Sequence, residues 1–138
     1  MIARIFAIAS VDVNGLIKTH RGVLQGGVCS PSLFNIYVNS LIPILKATGA
    51  EVLLYADDLV LVTKSRLQTH RALVALEQWC TDNSMKINRK KSATLVARVD
   101  RRTRMVDKPI QGIPVTDSYK YLGLVINDCF QVKDGVGK

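Results

Sequence analysis

The sequence predicts an α/β (α+β) domain, in which an antiparallel sheet carries two helices on one face. Residues 51–54 and 59–63 are apolar runs on either side of a short polar break, a pattern typical of a β-hairpin. Neither run alternates cleanly between apolar and polar residues, which favours strands in a covered sheet. Two helical patterns, one beginning at Ser30 and one over residues 66–82, predict the helices that pack on this sheet.

The first helix is predicted to begin with Ser30 as N-cap and Pro31 at the first helical position, where a missing N–H breaks no hydrogen bond. Apolar residues cover nearly every face of this helix, which predicts that it is buried. We expect Pro43 to kink or end the helix and Gly49 to stop the turn that follows. The apolar residues are Leu33, Phe34, Ile36, Tyr37, Val38, Leu41 and Ile42.

The second helix is predicted over residues 66–82, and Asn83-Ser84 mark its end. Its apolar side chains recur at helical spacing, so one face is expected to pack on the sheet. That stripe consists of Leu73, Leu76 and Cys80, with Trp79 beside it.

The remaining segments are mostly extended in pattern. Residues 2–19 are predicted to form a hairpin made of an apolar strand, a turn at Asn14-Gly15 and a second strand. The glycine-containing tail, residues 128–138, is expected to fray. Further extended segments are predicted at residues 85–88, 92–97, 113–115 and 119–126.

Composition limits the class of protein and the kind of partner. At 138 residues the chain is one domain or a piece of a larger one, and 48% hydrophobic residues suffice to form a core. A formal net charge of +8 favours a polyanionic partner, nucleic acid before a membrane.

The cysteines and histidines are widely spaced and form no cluster, which argues against a zinc site and favours a reducing compartment. Residues 1–11 mimic a signal peptide, but the apolar stretch is short and meets Asp12, so a strand is predicted instead. No run reaches the roughly 18 apolar residues of a membrane span. We therefore expect an intracellular protein without a membrane partner, in either the nucleus or the cytoplasm. The residues concerned are Cys29, Cys80, Cys129, His20 and His70, and both histidines are predicted to lie at the surface.

The polar break of the central hairpin is Asp57-Asp58. Two adjacent carboxylates at a hairpin tip repel each other, and a divalent cation relieves that repulsion. Hard oxygen ligands suit Mg²⁺, which keeps several waters and shares its site with substrate phosphates. The alternative is an ordinary turn, because Asp favours turns.

Four local motifs follow one another in a fixed order, and this order resembles the palm of a reverse transcriptase. The closest lineages are those of non-LTR retrotransposons and group II introns, and the resemblance covers residues 11–127. The motifs are Gln25-Gly26-Gly27 ahead of Ser30-Pro31, Tyr55-Ala56-Asp57-Asp58, Asn88-x-x-Lys91-Ser92 and Tyr121-Leu122-Gly123.

The resemblance implies RNA-directed DNA polymerisation by two-metal phosphoryl transfer. Asp57 and Asp58 would then bind Mg²⁺, or Mn²⁺ in its place, together with a third Asp on a neighbouring strand. In the family this third Asp lies on a strand well before the glycine-rich loop. Here the acid before that loop is Asp12, which lies two residues before the Asn14-Gly15 turn and so does not match the catalytic strand. We therefore expect the isolated chain to be inactive.

The glycine-rich loop and the residues before the acidic pair are implied to contact nucleotides. Gln25 would contact the template or the incoming nucleotide, and glycines at 26 and 27 let the backbone approach it closely. Tyr55 and Ala56 would lie beside the primer end. The alternatives are a plain strand-to-helix turn at Gly26-Gly27 and a core aromatic at Tyr55.

The later motifs are implied to act on the leaving group and the primer. Lys91 resembles a lysine proposed to protonate pyrophosphate, and Tyr121-Leu122-Gly123 resembles the primer grip; a solvated surface lysine is the alternative for Lys91. Arg101, Arg102 and Arg104 are predicted to contact backbone phosphates, or else to form a solvated loop.

The partners implied by the resemblance are an RNA template, a DNA primer and deoxynucleoside triphosphates. Fingers and thumb segments are expected before residue 1 and after residue 138, which makes the chain a partial palm. The rival hypothesis is a non-catalytic, nucleic-acid-binding remnant of a retroelement. The coding sequence upstream of Met1 would distinguish the two hypotheses. An open reading frame that encodes a Phe/Tyr-x-x-Asp strand would indicate an enzyme fragment, and stop codons would indicate a relic.

Overall fold

The structure is a computed structural model, and it shows a mixture of helices and antiparallel sheets, as the sequence predicts. Within the described ranges there are three α-helices and three sheets. The described residues are 2–6, 11–14, 16–19, 26–96, 108–127 and 132–134, with side chains described for 26–96 and 108–127.

The main sheet has four strands, and its hydrogen-bonded neighbours are antiparallel. Its strands are β1 (Ile2–Phe6), β4 (Glu51–Tyr55), β5 (Asp58–Val62) and β6 (Lys86–Ile87). The predicted central hairpin forms β4 and β5, and the order of strands in the sheet is β4-β5-β1-β6.

The first strand differs from the sequence prediction. The hairpin predicted over residues 2–19 is confined to β2 (Val11–Asn14) and β3 (Leu16–Thr19), which pair only with each other among the described strands. β1 pairs instead with β5 and β6. The reason lies in the patterns: β1 is almost continuously apolar, which suits a central strand, whereas β2 alternates.

The described part of the chain contains three α-helices where the sequence predicts two. They are α1 (Ser30–Val38), α2 (Leu41–Ala47) and α3 (Arg66–Asp82). The predicted bounds of α3 are confirmed, and its N-cap Ser65 accepts a hydrogen bond from the Gln68 backbone N–H. The core between helices and sheet includes Leu41, Leu45, Leu59, Leu61, Leu73, Leu76, Trp79 and Cys80.

The prediction that α1 is buried is wrong. Only Val38 of this helix is buried, whereas Ile36 is 73% exposed and Leu33 is 53% exposed. Its N-cap is Cys29, not Ser30, and no side chain caps it. An apolar sequence on every face does not itself supply a covering element, and no described residue covers the outer face of α1.

The break between α1 and α2 lies at Asn39-Ser40, so Pro43 does not cause it. Pro43 is the third residue of α2, where the backbone N–H has no partner within the helix. Gly49 ends α2 as predicted, with φ of +84°. The positive φ of Gly49 favours glycine, and a Cβ there would lie 2.6 Å from Gln68 Nε2, so the end of that flexible side chain would have to shift.

A third sheet follows in the C-terminal part. Its strands are β7 (Ser118–Tyr121), β8 (Leu124–Asn127) and β9 (Val132–Asp134), in antiparallel order. The prediction of a frayed tail is therefore wrong for Val132–Asp134, which pair with β8. Residues 113 and 115 form isolated bridges and no strand. No helix in the described residues is both long and apolar enough to span a membrane.

Candidate functional site

The tip of the β4–β5 hairpin carries the acidic pair. The register runs from Glu51 opposite Val62 to Tyr55 opposite Asp58, so the turn residues are Ala56 and Asp57. The predicted turn, Asp57-Asp58, is therefore shifted by one residue, and Asp58 is the first residue of β5. Both carboxylate residues are partly exposed. This arrangement places one acid in the turn and the other at the rim of the sheet.

The turn before Asp57 has an uncommon backbone conformation. Ala56 adopts φ of +51°, in the left-handed region that residues with a Cβ rarely occupy. A two-residue hairpin loop that follows the twist of its strands requires positive φ. The short connection between Tyr55 and Asp58 therefore imposes this conformation, at a cost of roughly 1–2 kcal/mol for a non-glycine residue.

Tyr55 lies on the outer face of the sheet, opposite the helices. It is 66% exposed, and Leu53 on the same face is also exposed. The alternative that Tyr55 is a core aromatic is therefore wrong. An exposed aromatic beside two carboxylates can stack on a base.

The strand next to the acidic pair is β1. Arg4 is the residue opposite Asp58, and Ala3 is opposite Leu59. β1 has the sequence Ile-Ala-Arg-Ile-Phe and brings no carboxylate. Asp12 lies in the separate β2–β3 sheet, opposite Lys18. Among the described residues, no three His, Cys, Asp or Glu side chains are grouped to hold a metal ion.

The glycine loop enters α1 through a turn. Gly26 has φ of +83°, and a Cβ built there would meet no atom of the described residues within 4 Å. Gly27 accepts a hydrogen bond through its carbonyl from the Ser30 N–H, at 3.1 Å. Gly26 therefore serves the turn conformation, and no described residue packs against it where a side chain would project. Gln25 lies outside the described residues.

The Lys91 segment is a short 3₁₀-helix, η1 (Arg89–Lys91). The Asn88 side chain accepts a hydrogen bond from the Lys91 N–H at 3.2 Å, and the Ser92 hydroxyl donates to the Asn88 carbonyl at 2.8 Å. Ser92 is buried and Lys91 is exposed. The Asn and Ser of the motif are thus structural, and they hold the backbone from which Lys91 projects.

The Tyr121-Leu122-Gly123 motif forms the turn between β7 and β8. Tyr121 pairs with Leu124, and Leu122 and Gly123 have φ of +47° and +85°. Two positive φ values are the requirement of a type I′ hairpin turn. Leu122 is 47% exposed at the tip.

A small apolar cluster joins this hairpin to the acidic hairpin. It consists of buried Val60 and Leu95, with Tyr119, Tyr121 and Ile126 packed against them. Val60 belongs to β5, two residues after Asp58, and Tyr119 and Tyr121 belong to β7. The hydroxyl of Tyr119 also donates a hydrogen bond to the Lys91 carbonyl.

Comparison with known proteins agrees with this order of motifs. The family described as "Reverse transcriptase (RNA-dependent DNA polymerase)" matches over residues 2–126. The chain belongs to the reverse transcriptase family. The match begins nine residues before the segment on which the sequence resemblance was founded, so it includes β1.

Two relatives of this reverse transcriptase chain come from Nasonia vitripennis. The Pol polyprotein of the type-1 retrotransposable element R1 is 27% identical over 128 residues, 83% of this chain and 38% of the relative. The Pol polyprotein of element R2 is 28% identical over 130 residues, 80% of this chain and 13% of the relative. The chain thus spans well under half of either relative.

In this reverse transcriptase chain, the Val60–Leu95 cluster and the Tyr119 hydroxyl link the segments that carry three of the four motifs. Sequence reasoning missed Leu95 and Tyr119. The alternation of Tyr119 with Tyr121 along one strand is the signal that marks a shared face. Arg101, Arg102 and Arg104 lie outside the described residues.

The two cysteines with described side chains are free thiols. Burial raises the pKa of the Cys80 thiol from 9.0 to about 11, so it stays protonated at neutral pH. A protonated thiol is a poor metal ligand. His70 is exposed, as predicted, and forms a hydrogen bond with Gln111.

Proposed function

We propose that the chain is the part of an RNA-directed DNA polymerase that carries the Asp57–Asp58 pair and transfers nucleotides to a primer 3′-hydroxyl. The observation that carries this proposal is the hairpin tip. It holds two adjacent carboxylates and exposed Tyr55 at the rim of a rigid sheet, in a chain of the reverse transcriptase family.

The donor set at the tip suits Mg²⁺. This ion binds through one or two carboxylates, keeps waters and shares its site with substrate phosphates. Asp57 and Asp58 would hold it, and Mn²⁺ has the same preference for oxygen. Bound there, the ion would neutralise charge that develops on the transferring phosphoryl group.

The chain's own residues would bind and orient the substrates. Tyr55 offers an exposed ring for stacking, and Lys91 supplies a positive charge for pyrophosphate or, as the alternative, is a solvated surface residue. The Leu122-Gly123 tip would support the primer, and Gly26-Gly27 would line the nucleotide. The proposed partners are an RNA template, a DNA primer and deoxynucleoside triphosphates.

The isolated chain is proposed to be inactive or nearly so. Two-metal transfer needs ligands that fix both ions, and two carboxylates give too few. The strand beside Asp58 presents Arg4 at the opposite register position, not an acid. The relatives are longer polyproteins, so the remaining parts of the polymerase are proposed to come from elsewhere in the parent protein.

Nucleotide binding tests the proposal without requiring turnover. Purified protein is titrated with a deoxynucleoside triphosphate and Mg²⁺ while backbone amide signals are followed. We expect Tyr55, Ala56 and Asp57 to shift first, and the shifts to disappear in Asp57→Asn. Asp82→Asn is the matched control, because Asp82 is an exposed acid at the end of α3. Shifts confined to other residues would contradict the proposal.

Primer extension tests the proposed inactivity separately. The expected result is no extension of an RNA-templated primer with Mg²⁺ or Mn²⁺. Extension that is abolished by Asp57→Asn would disprove inactivity while supporting the polymerase assignment, and it would require another ligand, with Asp12 as the first candidate.

A further inference from the structure

Tyr119 contacts two segments that carry parts of the proposed site, and its own hairpin carries a third. We propose that Tyr119 is a positioning residue, which holds the Lys91 turn and the Leu122-Gly123 turn in place relative to the Asp57–Asp58 hairpin. This inference rests on the proposed function and adds a residue to it.

The first contact is polar. The Tyr119 hydroxyl donates a hydrogen bond to the carbonyl oxygen of Lys91, the last residue of η1. The Asn88 side chain accepts a hydrogen bond from the N–H of the same residue, so both the N–H and the carbonyl of Lys91 are hydrogen-bonded. The exposed Lys91 side chain therefore starts from a fixed backbone.

The second contact is apolar. The Tyr119 ring packs against the pair formed by Val60 and Leu95, which are 8% and 6% exposed. Val60 lies two residues after Asp58 on β5, and residues two apart on a strand share a face. The ring therefore rests on the same face of the sheet that Asp58 occupies at the rim.

The third connection runs through the strand that carries Tyr119. Two residues later, Tyr121 packs on the same pair and then enters the Leu122-Gly123 turn. The side chains of Ser118 and Lys120, on the opposite face of β7, are exposed. One face of β7 thus joins the turn to the acidic hairpin.

Such a connection matters because the three groups lie on separate turns. Catalytic groups must keep their geometry to within about 0.5 Å, and turns at the ends of hairpins do not supply that precision by themselves. The Tyr119 ring packs on the Val60–Leu95 pair and its hydroxyl donates to the Lys91 carbonyl, so Tyr119 connects the Lys91 turn and the Leu122-Gly123 turn to the acidic hairpin.

The test uses Mn²⁺ as a paramagnetic probe at the Asp57–Asp58 tip. Relaxation of the Lys91 amide and the Leu122 methyl groups falls steeply with their distance from the ion. Each value is divided by that of the Val62 methyl groups in the same sample, so that metal occupancy cancels. Altered global stability does not move these ratios while the protein stays folded.

Two variants separate the two contacts. Tyr119→Phe removes only the hydroxyl, and we expect the Lys91 ratio to change while the Leu122 ratio does not. Hydrogen exchange at the Lys91 amide should accelerate by up to about fivefold, because the turn loses the stabilisation of one hydrogen bond at the Lys91 carbonyl while Asn88 still accepts from the Lys91 N–H. Leu95→Val trims the apolar support, and both ratios should change.

Tyr37→Phe is the matched control. The Tyr37 hydroxyl also donates to a backbone carbonyl, that of Asn83, at 2.8 Å and at the end of α3. Both ratios should stay at the wild-type value in this variant. Wild-type ratios in Tyr119→Phe and in Leu95→Val would overturn the inference alone. Absence of any Mn²⁺ effect around Asp57 in the unmodified protein would overturn the proposed function and the inference with it.

Discussion

Arg4 and Asp58 occupy directly opposite positions in the ladder between β1 and β5. A basic residue thus holds the register position nearest to the acidic pair on the neighbouring strand. Directly opposed residues of antiparallel strands have Cβ atoms within about 5.5 Å of each other. The identity of residue 4 should therefore control how well a cation binds beside Asp58.

Arg4→Asp should strengthen Mn²⁺ binding relative to Arg4→Gln. Both variants remove the positive charge, and only the first adds a carboxylate. We expect a gain on the order of tenfold in affinity, since one added charge near the surface contributes at least ~1.4 kcal/mol at this separation. Titration of the two variants under identical salt gives the ratio. Equal affinities would mean that β1 does not lie beside the acidic hairpin in solution.

The arginines at 101, 102 and 104 should bind phosphates without reading sequence. Replacing all three with Ala should flatten the dependence of log K on log salt by roughly two to three units, because each phosphate contact contributes about −0.7 to −0.9. The sequence predicts that these arginines are solvated, and solvated charges contribute little to folding, so we expect the thermal stability to change hardly at all. Binding of single strands and of hybrid duplex at several salt concentrations measures the slope. An unchanged slope would identify a solvated loop.

Cys80 should make the protein less stable in alkali. Burial raises its thiol pKa from 9.0 to about 11, so above pH 9 the unfolded chain loses a proton that the native state keeps. The free energy of unfolding should therefore fall between those two pKa values, by ~1.4 kcal/mol for each unit of pH. Urea unfolding at neutral pH and at about pH 10 measures it, with Cys80→Ala as the reference. An equal loss in both proteins would exclude Cys80 as the cause.

Gly49→Ala should destabilise the junction between α2 and β4. The new Cβ would lie 2.6 Å from Gln68 Nε2, and the φ of +84° would be strained. The strain alone costs roughly 1–2 kcal/mol. In Gly49→Ala/Gln68→Ala the clash is absent and the strain remains, so thermal unfolding of single and double variants separates the two terms. Because Gln68→Ala alone removes the hydrogen bonds of Gln68 with Lys64 and Thr48, it is the reference for the double variant. If Gly49→Ala costs the same stability in the Gln68→Ala background as in the unmodified protein, the Gln68 side chain moves aside freely.

The sequence predicted the elements whose signals are local. Asn-Gly, Asp-Asp and the spacing of Leu73 and Leu76 led to the small hairpin, the acidic hairpin and α3, because turns and helices depend on neighbouring residues. The position of β1 was missed, since pairing with β5 joins segments more than fifty residues apart. The exposure of α1 was missed as well, because an apolar helix does not encode what packs on it.

In the candidate site, too, the local features were predictable from the sequence and the long-range contacts were not. Each motif was visible in sequence, and so was the lack of an acid upstream other than Asp12. The contacts of Tyr119 with Lys91 and with the Val60–Leu95 pair link the segments that carry three motifs, and they depend on tertiary structure alone. The turn at the acidic tip lies at Ala56-Asp57, one residue earlier than predicted. The pairing of Tyr55 with Asp58 is set by the register along the whole hairpin, which the local sequence does not reveal.

The most direct measurement is the affinity of the protein for Mn²⁺ in Asp57→Asn, Asp58→Asn and the control Asp82→Asn. The central claim is that the tip of the β4–β5 hairpin binds a divalent cation. We predict weak binding in the unmodified protein, its loss in the first two variants and wild-type affinity in the third. Paramagnetic broadening should be centred on Asp57. Binding that survives both hairpin substitutions, or broadening centred on Asp82, would contradict the claim.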